Sequence, residues 1–230
     1  MIDLHTHILP GMDDGAKTVE EALQMLRIEA EQGVGAVALT PHYYRTKERP
    51  ESFLERRRVA MERLLEATKD KVYPRFSLGA EVAMVPSMED WSDLADFCYD
   101  NTKTLLVELP IQPWTPEVFY RLYNLENRCG ILPMIAHVDR YFFYQSRKNI
   151  EQLLEMGYPV QVSAEALSHW VSRKNAINLL KKNYGVLISD CHNTNTRRPN
   201  MADGLQVIEK KLGKQTALEI VEWTESILED

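Results

Sequence analysis

The sequence predicts an α/β protein built on a parallel sheet and folded as a single domain over residues 1–230. Three observations carry this. Short apolar runs alternate with amphipathic segments seven times along the chain, the pattern of strands joined by crossover helices. The runs are continuously apolar, as in strands covered on both faces. No linker or low-complexity stretch divides the chain. Seven units leave two architectures open, a closed or nearly closed barrel and an open doubly wound sheet. No glycine-rich nucleotide fingerprint follows any strand, which weakens the dinucleotide-binding open sheet.

Each element has a local reason. The first run is Ile2 to His7. A helix follows from Thr18, with Val19, Leu23, Leu26 and Ala30 on one face. Thr18 and Glu21 fit a capping box and Gly33 fits the stop. The second run is Gly35 to Pro41, followed by a charged helix from Ser52 to Thr68. The third is Phe76 to Ala83, with a weak helix near Asp90 to Tyr99. The fourth is Thr104 to Leu109, after which Thr115 as N-cap and Pro116 at the first helical position open a helix. The fifth is Ile131 to Val138, with a helix at Lys148 to Met156. The sixth is Pro159 to Ser163, with a helix at Ser168 to Asn183. The seventh is Gly185 to Asp190, and two helices close the chain at Met201 to Leu212 and Gln215 to Leu228.

Composition narrows function. Lys and Arg number 27 against 34 Asp and Glu, a net charge of −7, which argues against a broad basic surface for nucleic acid or anionic lipid. No apolar run reaches the roughly 18 residues that a membrane helix needs. The strand pattern beginning at Ile2 leaves no room for a signal peptide, and Cys98, Cys129 and Cys191 form no close pairing pattern. The expectation is a cytoplasmic protein with reduced thiols and no membrane insertion.

The chemistry gathers at strand ends. His5 and His7 end the first run, with Asp14 in the loop after it; His42 follows the second, and Glu81 lies near the end of the third. Glu108 ends the fourth, His137 the fifth, and Asp190 and His192 the seventh. Of the six histidines only His169 lies elsewhere. In a parallel barrel all strand C-termini open onto one face, which carries the site. Mixed imidazole and carboxylate donors suit Zn²⁺, Mn²⁺ or Fe²⁺, and nine donor residues fit two or three ions. Three divalent ions would outweigh the four carboxylates and leave a positive mouth suited to a dianion such as a phosphate monoester. Arg140 and Arg197, in loops on the same face, could clamp its oxygens. Asp3, Asp13, Asp139 and Glu165 read as bystanders, although Asp13, beside Asp14, competes with it as a ligand. Tyr43, Tyr44, Trp114 and the stretch Tyr141 to Tyr144 could wall a pocket for a phenyl ring or merely pack the loops. Cys191 to Arg197 also has the Cys-x5-Arg spacing of thiolate phosphatases, but without the glycines that turn backbone amides toward phosphate.

These motifs resemble the PHP (polymerase and histidinol phosphatase) family: DLHTHILPGMDDGA at the start, TPHY around His42, Glu81, Glu108, AHVDRY around His137 and SDCHNTNTRRP at Asp190 and His192. The branch most similar is the bacterial manganese-dependent protein-tyrosine phosphatases of capsule and exopolysaccharide operons. The resemblance spans essentially the whole chain. It implies a distorted TIM-like barrel of seven β/α units and three divalent ions, Mn²⁺ before Fe²⁺ or Zn²⁺. It implies His5, His7, Glu81 and Asp190 around one ion, Glu81, Glu108 and His137 around a second, and Asp14, His42 and His192 around a third. It gives Arg140 and Arg197 the phosphate, with Arg198 the alternative to Arg197. Val138-Asp139 departs from the Pro-Glu common at that place in relatives. The activity implied is hydrolysis of phosphotyrosine by metal-activated hydroxide, on a tyrosine autokinase of polysaccharide export. The alternatives are a histidinol-phosphate or other small-molecule phosphatase, and a non-catalytic phosphoprotein-binding module.

Overall fold

The computed structural model describes residues 1–69, 71–181 and 185–228. The first half runs β1 (Ile2–Thr6), α1 (Val19–Glu31), β2 (Ala36–Leu39), β3 (His42–Tyr43), α2 (Pro50–Thr68), β4 (Arg75–Leu78), β5 (Glu81–Ala83) and β6 (Thr104–Glu108). Then come α3 (Pro116–Asn127), β7 (Leu132–Ile135), α4 (Val138–Tyr141), α5 (Arg147–Glu155), β8 (Val160–Ser163), α6 (Ala164–Ser168), α7 (Trp170–Leu180), β9 (Gly185–Ile188), α8 (Met201–Leu212) and α9 (Lys214–Ser226).

Among the described residues the seven apolar runs appear as nine strands because the second and third runs each break once. The breaks fall at Thr40-Pro41 and Gly79-Ala80; proline has no N–H to give a ladder, and glycine often marks a bend. The lower halves form a three-stranded sheet, β1-β2-β4, and the upper halves join β3-β5-β6-β7-β8-β9. Every ladder between these strands is parallel. Gly79 N donates to Leu39 O (3.0 Å) and Glu81 N to Pro41 O (3.1 Å), stitching the two sheets across the breaks. The ring closes where Asp190 N donates to His5 O (3.0 Å) and His7 N to Cys191 O (2.9 Å). The result is the expected closed α/β barrel with seven strand positions, and the open sheet is excluded.

Local signals explain most boundaries. The Thr18 hydroxyl accepts from Glu21 N (3.2 Å), while Glu21 reaches back to Lys17 N (2.9 Å), one residue short of a strict capping box. Gly33 ends that helix at φ 81°, where a Cβ would be strained. The weak helix expected at Asp90 to Tyr99 is instead two 3₁₀ turns, Met88–Asp90 and Leu94–Phe97, with Ser92 and Asp93, which compete for backbone groups, between them. The helix expected at Ser168 to Asn183 is α7, which starts at Trp170 after extended backbone at His169 (φ −87°, ψ 127°), while the short α6 before it was not expected; the expected end at Asn183 lies outside the described residues. The turn α4 follows His137 directly and had no sequence signal.

Two apolar clusters frame the site. Leu4, Ala38, Leu106, Met134 and Val186 pack together, drawn from strands around the whole ring. Tyr99 joins them and donates to Leu4 O (2.8 Å). The larger cluster couples the strands to the helices. Burial of this extent is the main favourable term in folding, and it fixes the strand ends that carry the polar residues.

Candidate metal centre

All nine residues read as ligands from the sequence meet at the C-terminal mouth. The ladder of β1 is irregular between Asp3 and Thr6, and irregularities of this kind re-aim side chains. Leu4 thus sits in the apolar cluster while the next residue, His5, turns to the mouth with His7; their Nε2 atoms are 3.1 Å apart. Glu81 lies among them. Its Oε2 is 3.2 Å from His5 Nε2, 3.3 Å from His7 Nε2 and 2.8 Å from His42 Nδ1, and its Oε1 is 2.7 Å from His137 Nε2. Glu108 approaches His137 at 3.9 Å. Asp190 Oδ1 lies 3.6 Å from His5 Nε2 and 3.5 Å from His7 Nε2. Asp14, at the exposed rim, is 3.5 Å from both His42 Nε2 and His192 Nε2.

Two of these residues hold unusual backbone. His137 (φ 32°) and Asp190 (φ 53°) both adopt left-handed conformations at strand ends. Non-glycine residues pay for such conformations, which cluster at functional sites.

Seven of the nine residues supply donor atoms to three overlapping groups, each with its atoms within 4.8 Å of one another: His7, Asp14, His42 and His192; His5, His7 and Glu81; and His42, Glu81 and Glu108. His137 and Asp190 adjoin these groups through Glu81, His5 and His7. Glu81 Oε2, His42 Nδ1, His137 Nδ1 and His192 Nε2 are buried and make no hydrogen bond of acceptable geometry. Orphaned donors and acceptors this deep are costly unless something satisfies them. Divalent cations suit this set of soft and hard donors.

The electrostatics agree. Burial drives the Glu81 carboxyl upward, but His5, His137 and His42 outweigh it and hold it well below the usual carboxylate range. Asp190 is likewise pushed up by burial and pulled well down by His5, His7 and Arg140. Glu108 goes the other way, raised by burial and by the neighbouring Glu81 charge. Burial and the adjacent His7 press His192 down to about 3, keeping that ring neutral with a lone pair to give.

A supporting layer orients the rings. Asp13 Oδ2 is 2.6 Å from His7 Nδ1 and accepts from His42 N (2.8 Å), while its Oδ1 accepts from Gly15 N (2.9 Å). Asp13 therefore faces the back of His7, and Asp14 faces the cluster. Gly15 is obligatory there, because a Cβ would lie 2.0 Å from His7 O. Gln161, fully buried on β8, holds Oε1 2.7 Å from His5 Nδ1. Such contacts fix the tautomer and leave Nε2 facing the cluster. His192 Nδ1 is fixed by Asp190 O (3.0 Å). Gln161 escaped the sequence reading, although a lone amide in the apolar run PVQVS was its signal.

Both arginines reach the mouth. Arg140 and Arg197 each donate to Asp190 Oδ2, the latter at 2.8 Å. Arg198 instead pairs with Asp203 (2.9 Å) at the surface. The two tyrosines read as pocket walls are not there. Tyr43 is 1% exposed and packs on Phe53 and Phe97, because alternation along β3 sends it away from His42. Tyr141 is buried too, its hydroxyl exchanging hydrogen bonds with Leu109 N (2.7 Å) and Leu109 O (3.0 Å). Tyr44, beside the His42 ring at 5.4 Å, is the aromatic residue that does line the mouth. Cys191 is fully buried, 3.7 Å from Glu29 Oε1, with its thiol pushed well up by burial and that acid; it has the environment of an inert thiol. His169 is exposed beside Glu165, and Asp139 accepts from Ser163 N (2.8 Å) as a structural tie.

A parallel barrel with imidazoles and carboxylates gathered at its mouth defines an α/β-barrel protein of the metal-dependent hydrolase type. More particularly, the chain belongs to the family described as Capsular polysaccharide synthesis, CpsB/CapC, which matches residues 1–229. It is 28% identical to the tyrosine-protein phosphatase CpsB of Streptococcus agalactiae serotype V, over 100% of this chain and 99% of the relative. It is also 28% identical to the tyrosine-protein phosphatase YwqE of Bacillus subtilis, over 99% and 91%. A solved structure from the pair YwqE of Bacillus subtilis and CpsB of Streptococcus pneumoniae, described as unique metal-dependent tyrosine phosphatases, superposes with a TM-score of 0.83 at 27% identity. That match covers 100% of this chain and 94% of the other. A variant organophosphorus hydrolase, 11% identical with a TM-score of 0.57 over 99% and 92% of the two chains, shares the fold. Among the described residues no helix is long and apolar enough to cross a membrane.

Proposed function

We propose that this chain is a metal-dependent protein-tyrosine phosphatase acting as one catalytic domain over residues 1–230. The observation that carries the reading is the convergence of nine imidazole and carboxylate residues beside two guanidinium groups. Its substrate is a phosphotyrosine protein, in the first place a tyrosine autokinase governing capsular or exopolysaccharide synthesis in the cytoplasm. Three divalent ions would be held: one by His5, His7, Glu81 and Asp190, one by Glu81, Glu108 and His137, one by Asp14, His42 and His192. Mn²⁺ is the first choice, and Fe²⁺ or Zn²⁺ suits the same donors.

When bound, such ions supply Lewis acidity toward phosphoryl oxygens and water of lowered pKa. The chain does the rest. Asp13 and Gln161 hold His7 and His5 in the ligating tautomer. Arg140 and Arg197 share Asp190 Oδ2 and lie at the mouth, ready to turn their forks to an arriving dianion and stabilise its equatorial oxygens. Tyrosine, with a pKa of ~10, leaves readily, so a strong general acid matters less than for a serine ester.

The test is metal analysis of the purified protein, with phosphatase assays after chelation and re-addition of single ions. Turnover of a phosphotyrosine peptide far above that of histidinol phosphate, lost on chelation and restored by Mn²⁺, is the expected result. Preference for histidinol phosphate would move the protein to small-molecule chemistry, and binding without phosphate release would make it a sensor.

A further inference from the structure

Two hollows open beside the metal centre, and they differ in character. One, of about 570 Å³, is walled by Asp14, His42, Tyr44, Lys47 and Arg56, and is dominated by charge. The other, of about 410 Å³, runs between α4 and the α6–α7 bend, with Phe143, Ala166, Trp170 and Val171 along it. Arg140 lines this second groove and also reaches Asp190 in the centre, so the groove is continuous with the phosphoryl site.

We propose that this groove receives an apolar side chain next to the phosphotyrosine of a substrate protein, with Trp170 and Phe143 as its specificity-determining residues. The inference rests on the phosphotyrosine reading above and deepens it. Trp170 is 85% exposed, Phe143 63% and Val171 54%. Exposed apolar groups clustered in a hollow, with polar groups at the rim, mark interaction sites, and aromatic anchors carry a large share of binding energy. The rim supplies the polar part: Glu165 and His169 pair at 3.4 Å. On the floor, Ser163 and Asp139 are tied together, Ser163 N donating to Asp139 Oδ1 (2.8 Å). The occupant is fixed by continuity. A phosphoryl group gripped by Arg140 leaves the adjoining residues of its chain at the groove's open end, and the apolar lining selects what settles there.

The experiment compares two phosphotyrosine peptides of equal charge, one with Leu and Phe flanking the phosphotyrosine and one with Ser in both places. The native holoenzyme prefers the apolar peptide by about 10-fold or more in kcat/KM, expressed in KM. In Trp170→Ala with Phe143→Ala that preference falls below about threefold. Both residues are exposed, so the fold tolerates the changes, and circular dichroism checks it. Leu218→Ala, another change at an exposed apolar residue, on α9, keeps the preference. No preference in the native enzyme, or one that survives the double variant, overturns the groove alone. Hydrolysis of histidinol phosphate but of neither peptide overturns the phosphotyrosine reading, and the groove with it.

Discussion

Two buried clusters of metal-capable side chains lie within a few residues of each other, and only one has the makings of a catalytic centre. At the mouth, five imidazoles surround the carboxylates, one side opens to solvent through Asp14, and two arginines stand at the rim. Beneath it, Asp3, Glu29 and Cys191 also bring three donor atoms within 4.8 Å of one another, all buried. Here no imidazole or guanidinium balances the acids. Burial raises both the Asp3 and Glu29 carboxyls, and the Asp3 charge adds to the rise at Glu29. Asp3 Oδ1 accepts from His5 N (3.2 Å) and Ser189 N (3.1 Å), tying β1 to the end of β9. Residue types alone therefore do not make a centre. Compensating charge and an open side do.

The largest loss is expected at Glu81, which touches four of the five imidazoles. Glu81→Gln keeps the shape and removes the charge. Turnover falls by on the order of 10³-fold, and metal analysis of the purified variant shows fewer bound ions. Arg197→Lys is milder and still large, about 10²-fold in kcat/KM, because an ammonium cannot match two phosphoryl oxygens at once. Its metal content stays native, which separates the clamp from the ligands.

The supporting layer comes next. Asp13→Asn replaces a charged partner of His7 by an amide, and Gln161→Leu leaves His5 Nδ1 without one. Each lowers metal affinity or activity about 10- to 100-fold. Titration of the apoprotein with Mn²⁺ measures it, and recovery of turnover at saturating metal marks these as positioning residues.

How far the sequence foretold these features follows from the physics of each. Ligands at strand ends were legible because apolar runs set the strand boundaries and parallel strands share one exit face. The place of Tyr43 is decided by β3, since with His42 in the mouth its neighbour must face the helices, and the length of that short strand does not show in the sequence. The breaks at Pro41 and Gly79 are present as residues, but their role in splitting the sheet depends on partners tens of residues away. The ring partner of His5 is 156 residues distant, beyond any local pattern.

The lower cluster yields the smallest changes in turnover. The raised Glu29 carboxyl means that the folded chain holds a proton that the unfolded chain releases earlier. Its stabilisation is complete below the unfolded pKa and is lost as pH rises through the folded one. Glu29→Gln removes this dependence, so urea unfolding at pH 6 and pH 9 shows a flatter profile in the variant, each pKa unit being worth about 1.4 kcal/mol.

Cys191→Ser is the finest discriminator. The thiol faces Glu29 and not the mouth, and its raised pKa leaves almost no thiolate at neutral pH. A serine hydroxyl can donate to the same acid, so turnover stays within about twofold of native while chelation still abolishes it. A collapse of activity in this variant with metal content intact would assign the chemistry to the thiolate, and the cluster beneath the mouth would then be the catalytic one.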